Sequence, residues 1–528
     1  MSSDSYELEQ WIKDWPSEYH LSRQRAQLLR DFVFKRESRV LEVGCGCGAI
    51  TRFLGETFHE VVAVEGSLAR ARLARLRTRG QDNVVVVCSP FQEVAFATPF
   101  DVVFCVGVLE YASQFVNAAD PYDATLEYFS SVLSPDGMLV LAIENQFGAK
   151  YWASSREDHT GVMFDGLEGY PRLRQGGRTF GYHELQQRVE RHFPHVRFYF
   201  PFPDYKMPSC ILSEEFLRRV NAGELAGRFR SRDYTGSRHR LFDERHLLLE
   251  LDRNDMLAFF ANAFLIVAAK SPHAATGLRS LGVLYSRKRV PSLATITRFL
   301  EDGDGQVRVA KTVASGQEAV EAGPLRLRPN ATRWIRGPSL QTQVVGRSKE
   351  RGVSLDALLA PCRAWLEALR ARAHPEDGRL LVDGALLDCN WSNSYIVNGQ
   401  CVFVDQEWEW REQLGLSVLL IRNAYHLIEE LDDLSDVVPP LRGIARRPII
   451  TRIARALGVR ITTRDFAEFA RLEARILQVV FGQGYRKAWL LTWLSLECHW
   501  LRVWLRYGKR AIAVARRVSD RIGNRLSA

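Results

Sequence analysis

A glycine-rich turn near the start of the chain, formed by Gly44, Gly46 and Gly48, lets the backbone approach a bound ligand closely. The turn follows the apolar run RVLEV and leads into a helix start, whose free N–H groups face the ligand. The next apolar run ends at Glu65, roughly twenty residues after the turn, where a carboxylate can accept both hydroxyls of a ribose. The turn alone is weak evidence, because it could merely connect two elements. Together with Glu65 and the runs NVVVVCS and FDVVFCVGVLEYA it strongly indicates a nucleotide-like ligand.

A second set of residues, far along the chain, suits a different chemistry. Asp388, Asn393 and Asp405 lie in a stretch that reads as strand, polar loop and strand. Phosphate-transferring enzymes use this spacing to hold a base and a magnesium ion. The same stretch is also compatible with a plain hairpin with polar turns.

The glycine turn and Glu65 must be positioned by alternating strands and helices. The runs GMLVLAIEN, VRFYFPFP and AFLIVAAK predict the fifth, sixth and seventh strands of an α/β fold, a doubly wound sheet with its site at the strand C-termini. The link Asn145–Gly181 leaves the fifth strand and is too long for a plain connection, so it predicts a functional lid. Its aromatic residues, which suit a sugar ring, are Tyr151, Trp152, Phe164 and Tyr170.

Residues 1–270 resemble the class I S-adenosylmethionine (SAM)-dependent methyltransferases in these motifs and in their order. The E-x-G-x-G-x-G form favours SAM over NAD, because there is no pyrophosphate to cradle. The resemblance implies a Rossmann-like seven-stranded methyltransferase sheet, with the glycine turn on the methionine part of SAM and Glu65 on its ribose. The residues that it assigns to the cofactor are Glu42, Gly44, Cys45, Gly46, Gly48, Glu65, Gly66, Ser89, Phe91, Gly107 and Val108.

Methyl transfer to a hydroxyl requires a base, because a neutral alcohol is a poor nucleophile. His159 is the first candidate, with a pKa expected near the working pH and with Asp158 beside it to orient the ring. Glu144, at the end of the fifth strand, is the second candidate. His159 could equally be a histidine that bonds within the loop, and His183 fits a structural residue at a helix start better.

The later part of the chain resembles the aminoglycoside-phosphotransferase-type kinases. Lys311, near the end of the run QVRVAKTV, would hold the phosphates of a nucleotide, and Glu318 or Glu321 could pair with it. By the same resemblance Asp388 orients the acceptor hydroxyl. The residues that the resemblance assigns to magnesium are Asn393 and Asp405.

Three departures from the kinase pattern leave a trimmed or inactive scaffold as an alternative. No glycine-rich loop is evident between the first strands of this module. Two leucines precede Asp388 where such kinases usually carry a histidine, and only 77 residues separate Lys311 from Asp388.

The amino-acid composition restricts the classes of protein to which this chain can belong. With 528 residues, 46% hydrophobic and 25% charged, the chain is expected to form two or three globular domains. Neither a signal peptide nor an apolar run long enough to cross a bilayer is predicted, and the scattered cysteines fit reduced cytoplasmic thiols.

The basic excess lies at the C-terminal end. From Arg486 to Ala528 ten Lys and Arg residues stand against Glu497 and Asp520, a net charge of +8 out of the total of +9. The rest is close to neutral, which argues against nucleic acid as a partner. Four tryptophans share one helical face in this region, and tryptophan beside arginine suits an anionic membrane surface, although they could also pack on the protein. These are Trp489, Trp493, Trp500 and Trp504.

The whole order resembles the bifunctional enzymes that cap bacterial O-polysaccharide (O-antigen) chains. It predicts a methyltransferase domain at 1–272, a smaller α+β kinase-like domain at 273–440, and a C-terminal helical region with a basic amphipathic tail at 441–528. The expected function is SAM-dependent O-methylation of a sugar hydroxyl on a surface polysaccharide or lipid-linked saccharide, with a second phosphotransferase activity that would use ATP and magnesium. A glycosyltransferase is an expected partner, and the expected location is cytoplasmic, peripheral on the inner face of the membrane.

Two other functions stay open. One is a small-molecule O-methyltransferase whose second domain is only a non-catalytic scaffold. The other is a non-enzymatic glycan-assembly factor in which both nucleotide sites are relics, against which the intact glycine turn and Glu65 argue.

Overall fold

The computed structural model describes residues 2–172, 176–236, 238–272, 277–433 and 445–497. Within it the chain divides into two compact units. The first comprises Met1–Arg287 and Ile296–Ala310, and the second comprises Lys288–Thr295 and Lys311–Ala528. The predicted division at 272 and 440 stays a prediction.

The first unit is built around one large sheet with helices in the connections. Its strands are β1 (Arg39–Val43), β2 (Glu60–Glu65), β3 (Val84–Cys88), β4 (Phe100–Val106), β5 (Leu133–Glu144), β6 (His195–Phe202), β7 (Cys210–Ser213), β8 (Ala263–Ala269), β9 (Gly282–Tyr285), and the parts of β10 (Thr295–Glu301) and β11 (Val307–Val313) that lie within 296–310. Its helices are α1 (Trp15–Leu21), α2 (Thr51–Thr57), α3 (Leu68–Arg77), α4 (Ala112–Phe115), α5 (Pro121–Val132), α6 (Ala149–Trp152), α7 (Tyr182–Glu190), α8 (Glu214–Arg219), α9 (Gly223–Gly227), α10 (Glu244–Arg253) and α11 (Leu257–Phe260).

The strands of this unit lie in the order β3-β2-β1-β4-β5-β8-β6-β7-β9-β10-β11. From β3 to β5 neighbouring strands are parallel, and β8 then runs antiparallel between β5 and β6. The inner strands are rich in valine and almost wholly buried, as expected for parallel strands that are covered on both faces. Because the chain order reverses between β1 and β4, the carboxyl ends of these strands border a crevice for ligands.

This sheet confirms the predicted α/β class but is larger than the seven strands expected. β7 pairs with β6 on the side opposite β8, and β9 and β10 continue the sheet beyond β7. Both β9 and β10 lie within residues 273–440, the span that the sequence analysis predicted as the kinase-like domain.

The second unit combines short strands with longer helices. The strands are β12 (Val320–Ala322), β13 (Leu325–Leu327), β14 (Ala331–Arg333), β15 (His374–Glu376), β16 (Arg379–Val382), β17 (Ser394–Val397), β18 (Gln400–Phe403), β19 (Trp408–Trp410) and β20 (Leu414–Gly415). The helices are α12 (Leu340–Arg347), α13 (Leu355–Arg370), α14 (Leu416–Asp433), α15 (Arg446–Ala456), α16 (Thr463–Phe481) and α17 (Tyr485–Glu497). The kinase-like assignment of this unit stays a prediction.

Two buried tryptophans hold the loop before β17 in place. The rings of Trp365 on α13 and Trp391 meet edge to face with centroids 5.8 Å apart, and both are fully buried. The indole N–H of Trp365 donates to the carbonyl of Cys389 at 2.7 Å, which satisfies a polar group inside the core. The loop that carries Asp388 is therefore fixed by packing rather than by sheet pairing.

The basic tail lies mostly outside the described residues. Of the four predicted tryptophans, Trp489 and Trp493 are described; their rings stack at 5.9 Å, and Trp493 packs against the core of the second unit. No helix among the described residues has the length and apolar character that a bilayer crossing needs.

A histidine–carboxylate contact between α14 and α16 predicts a pH-dependent stability. His426 lies 3.5 Å from both Glu473 and Glu429. Burial alone would lower the pKa of His426, but the two carboxylates raise it to about 9, from 6.5 in the unfolded chain. A raised pKa means that protonation of His426 stabilises the fold below pH 6.5, and this contribution is lost as the pH rises through 9.

We expect the difference in thermal stability between wild type and His426→Gln to be greatest below pH 6.5 and to shrink as the pH approaches 9. Melting temperatures measured for both proteins across this range provide the test. A difference that does not depend on pH would show that the contact has no net electrostatic effect.

Candidate functional site

The glycine turn after β1 has the left-handed backbone that glycine permits. The φ angles of Gly44, Gly46 and Gly48 are +71°, +56° and +77°. A Cβ at Gly48 would lie 2.9 Å from the Cα of Ala74 on α3, so this glycine allows the turn to pack on the helix. A Cβ at Gly46 would meet nothing within 4 Å, which leaves that position open to the cleft.

Glu65 at the end of β2 braces the turn. Its Oε2 accepts a hydrogen bond from the N–H of Gly46 at 2.8 Å, and its Oε1 accepts one from the N–H of Ser67 at 2.9 Å. Each carboxylate oxygen has a second lone pair, so Glu65 can also accept from ligand hydroxyls. The structure thus brings together the two features on which the sequence analysis depended.

A cleft opens beside the turn. Its lining combines the turn with side chains that the sequence analysis missed, Tyr19 and His20 on α1 and the following Arg25. The guanidinium of Arg25 lies over the ring of Tyr19, 4.1 Å from its centroid. These residues precede the first strand and belong to no motif, so only the fold reveals them. Burial raises the pKa of Glu42, at the base of the cleft, to about 7.

The remaining predicted cofactor residues lie along the same edge of the sheet. Cys45 is buried in the turn, and Gly66 follows Glu65. Ser89 and Phe91 come after Cys88, which pairs with Glu65 across β2 and β3. Val108 packs against Gly44, and Gly107 (φ +73°) passes so close to Tyr205 that a Cβ there would lie 2.6 Å from the tyrosine hydroxyl.

A buried cluster of ionisable residues lies at the ends of β4 and β5. Glu144 ends β5 and is fully buried, and Glu110 follows β4 with 1% of its surface exposed. The side chain of His159, from the lid, is 3% exposed. Its Nε2 lies 3.4 Å from Oε2 of Glu144, and its Nδ1 lies 2.9 Å from the hydroxyl of Tyr111. The structure therefore brings both base candidates together.

Two lysines neutralise part of this cluster. Lys206 pairs with Oε1 of Glu144 and lies 2.9 Å from Oδ2 of Asp158. Lys150 lies 2.6 Å from the same Asp158 oxygen. Asp158 was predicted to orient His159, but in the structure it forms ion pairs with Lys150 and Lys206. The carboxylate that contacts the imidazole is that of Glu144. Asp158 was chosen because it is adjacent to His159 in sequence, but its side chain contacts the lysines instead.

The ionisation of the cluster differs from the sequence expectation. Burial alone would lower the pKa of His159, but Glu144 raises it to about 9. Burial and the charge of Glu144 raise the pKa of Glu110 to about 8. Burial opposes ionisation of Glu144, yet Lys206 and His159 hold its pKa well below 4.5. The carboxylates around His159 thus shift its pKa upward from the near-neutral value that the sequence analysis expected.

The lid is partly structural and partly open to solvent. Tyr151 and Tyr170 are buried, and the hydroxyl of Tyr170 donates to Glu157 at 3.4 Å. Trp152 is 44% exposed. Of the predicted aromatic residues, Trp152 is thus the most exposed.

The second unit brings its own predicted residues together. Lys311 pairs with Asp405 and lies 3.2 Å from Glu407. Oδ2 of Asp388 accepts the N–H groups of Glu407 and Trp408 at 3.1 and 2.8 Å. Burial, followed by the nearby carboxylates, raises the pKa of Asp388 to about 7.

The remaining predicted residues of this site have mixed outcomes. The side-chain amide of Asn393 lies next to Asp388, 3.4 Å from its carbonyl oxygen. Glu321 was a predicted partner of Lys311 but pairs with Arg411 at 2.8 Å, and no contact joins Glu318 to the lysine among the described residues. Glu407, two residues after Asp405, is the carboxylate that the sequence analysis missed.

Comparison with known proteins places a known domain on the first unit. Residues 41–139 match the family described as "Methyltransferase domain". This segment runs from β1 into β5 and includes the glycine turn, Glu65 and Glu110. No curated protein matches the chain. The first unit therefore contains a segment that matches a methyltransferase domain.

Among solved structures, the chain is similar to the N-methyltransferase NodS from Bradyrhizobium japonicum WM9 bound to S-adenosylhomocysteine (SAH), at 20% identity over 23% of this chain and 61% of that one, with a TM-score of 0.21. It is similar to DhpI bound to SAH, at 24% identity over 25% of this chain and 57% of that one, with a TM-score of 0.19. A Haemonchus contortus phosphoethanolamine N-methyltransferase matches at 16% identity over 47% of this chain and 52% of its own, with a TM-score of 0.29.

The matched part of this chain thus spans between about half and three fifths of these proteins. With TM-scores of this size, the neighbours carry no argument about substrate.

Gly46→Asp is expected to abolish SAM binding. The new side chain would project into the cleft and add a negative charge where the backbone of the turn must approach the ligand. Gly80→Asp is the matched control, because Gly80 also has a positive φ (+82°) and open space at its Cβ position but lies outside the cleft. Calorimetric titration with SAM should therefore show binding to wild type and Gly80→Asp only. Normal binding by Gly46→Asp would disprove the cofactor assignment.

Proposed function

We propose that this protein is a SAM-dependent O-methyltransferase that acts on a sugar hydroxyl of a bacterial surface polysaccharide or lipid-linked glycan. The observation that carries the proposal is the buried contact between Glu144 and His159, at the same sheet edge as the glycine turn. Neighbouring strands lie about 4.8 Å apart, so β1 and β5, which flank β4, are separated by about 10 Å. A cofactor bound at the turn can thus extend its methyl group toward this contact.

The reaction requires one bond to form as another breaks. A lone pair of the acceptor oxygen attacks the methyl carbon of SAM, and the C–S bond breaks with its electron pair remaining on sulfur. The acceptor hydroxyl gives up its proton, and the products are a methyl ether and S-adenosylhomocysteine. The connected side chains of Glu144, His159 and Tyr111 would accept this proton and stabilise the charge that develops during transfer.

A sugar acceptor is supported by the lid. The exposed side chain of Trp152 suits the apolar face of a sugar ring. The alternative is a small-molecule alcohol with the second unit as a scaffold. Association with an inner-membrane surface through residues 486–528 belongs to the same proposal, and that segment lies largely outside the described residues.

His159→Ala is expected to slow methyl transfer by roughly a hundredfold or more, which is the usual effect of losing a group that assists proton transfer. SAM affinity should barely change, because His159 does not line the cofactor cleft. His183→Ala is the control, since that histidine lies on α7 and does not belong to the cluster. Single-turnover assays with a saccharide acceptor measure the chemical step. Unchanged turnover in His159→Ala would remove this histidine from the mechanism.

We further propose that the second unit binds a magnesium–nucleotide complex. Asp405 and Glu407 supply the hard carboxylate oxygens that magnesium prefers, and Lys311 lies between them with a charge suited to phosphate. Asp405 adopts a left-handed backbone (φ +55°), an unusual conformation for a non-glycine residue.

Thermal-shift measurements test this second proposal. ATP with magnesium is expected to raise the melting temperature of wild type and of Lys349→Ala, which changes an exposed lysine of the same unit. Lys311→Ala should lose the shift. If wild type shows no response, the second unit is a scaffold without a nucleotide.

A further inference from the structure

The side chains of Glu110, Glu144 and His159 converge on one point inside the first unit. One ligand atom from each, a carboxylate oxygen or an imidazole nitrogen, lies within 4.8 Å of the other two. Ligands at about 2.1 Å from a metal ion lie about 3.0 Å apart when they are adjacent and about 4.2 Å apart when they are opposite. A small inward movement of these side chains would therefore complete three positions of an octahedron.

Oε2 of Glu110 is buried and has no hydrogen-bond partner among the described residues. The neighbouring atoms are held by ion pairs: Oε1 of Glu144 contacts Lys206, and Oε2 of Glu144 lies 3.4 Å from Nε2 of His159. The side chains of Glu110, Glu144 and His159 are all at least nine-tenths buried. Buried polar atoms nearly always find a partner. The unpaired oxygen of Glu110, close to Glu144 and His159, therefore points to a ligand that these three side chains share.

We infer that Glu110, Glu144 and His159 bind a divalent metal ion that takes part in methyl transfer; this inference rests on the proposed O-methyltransferase function. Two carboxylates and one imidazole form a mixed set of oxygen and nitrogen ligands. Such a set suits manganese or magnesium, whereas structural zinc sites are built from thiolates. Lys206 contacts Oε1 of Glu144, and His159 contacts Oε2. The metal would therefore enter between Glu144 and His159 on the Oε2 side.

A metal at this position would supply what the cluster otherwise lacks. Such an ion would make an acceptor hydroxyl beside it more acidic, as it does for bound water, so that the hydroxyl could give up its proton to water. The acceptor oxygen would attack the methyl carbon of SAM as the C–S bond breaks with its electron pair on sulfur, and the products would be the methyl ether and S-adenosylhomocysteine. Protein ligands on three positions leave open positions for the acceptor.

Titration of the EDTA-stripped full-length chain with Mn²⁺, followed by electron paramagnetic resonance, tests the site directly. Wild type should bind Mn²⁺, and Glu110→Gln and His159→Ala should each weaken binding at least tenfold, as loss of a ligand does. SAM affinity reports that the variants are folded. His426→Ala is the matched control, because His426 also contacts two glutamates but lies in the second unit, and it should bind Mn²⁺ as wild type does.

Failure to bind Mn²⁺, or binding that Glu110→Gln and His159→Ala leave unchanged, would overturn the inference. Activity distinguishes this failure from failure of the proposed function. Full methyl transfer to a saccharide in EDTA would keep the methyltransferase function and reject the metal. Mn²⁺ binding that depends on both ligands, without transfer to any saccharide, would keep the metal site and reject the proposed acceptor. Loss of transfer in EDTA and its recovery with Mn²⁺ would support both.

Discussion

A carboxylate inside a protein is tolerated only when opposite charges or hydrogen bonds compensate it, and the first unit is arranged around one such group. Glu144 is fully buried at the end of β5. Its compensation comes from separate segments: Lys206 follows β6, and His159 lies in the lid. The same charge therefore fixes the lid and the segment after β6 to the edge of the sheet. Loss of the carboxylate of Glu144 would leave Lys206 with Asp158 as its paired carboxylate.

That arrangement explains which features could be predicted from sequence. The glycine turn and Glu65 are local signals, because strand, turn and the next strand follow one another and the roles depend on backbone geometry. His159 and Glu144 were named as candidates, yet their contact was not foreseen. The contacts of Tyr111 and Lys206 depend on the order β4-β5-β8-β6, which brings distant segments to one edge. Residue types and their spacing do not predict that strand order.

In the second unit, too, the sequence predicted local groupings of residues but not contacts between distant segments. The spacing of Asp388, Asn393 and Asp405 was sufficient to predict that they lie together, because a short loop and hairpin join them. The partner of Lys311 was mispredicted, since Glu321 follows it closely in sequence but pairs with Arg411 in the fold. Glu407 takes that role through a contact 96 residues away, a separation at which sequence alone gives no pairing rule.

The cofactor cleft and the buried cluster are joined by one short segment, Asp204–Lys206. Tyr205 packs against Gly107 at the end of β4, where a side chain larger than hydrogen would collide with its hydroxyl. Lys206 carries its ammonium to Glu144, while its carbonyl accepts a hydrogen bond at 2.8 Å from Arg25, which lines the cleft. A ligand that moves Arg25 therefore acts on the backbone of the residue that neutralises Glu144. A residue that lines the cleft is thus linked by one hydrogen bond to the residue that neutralises Glu144.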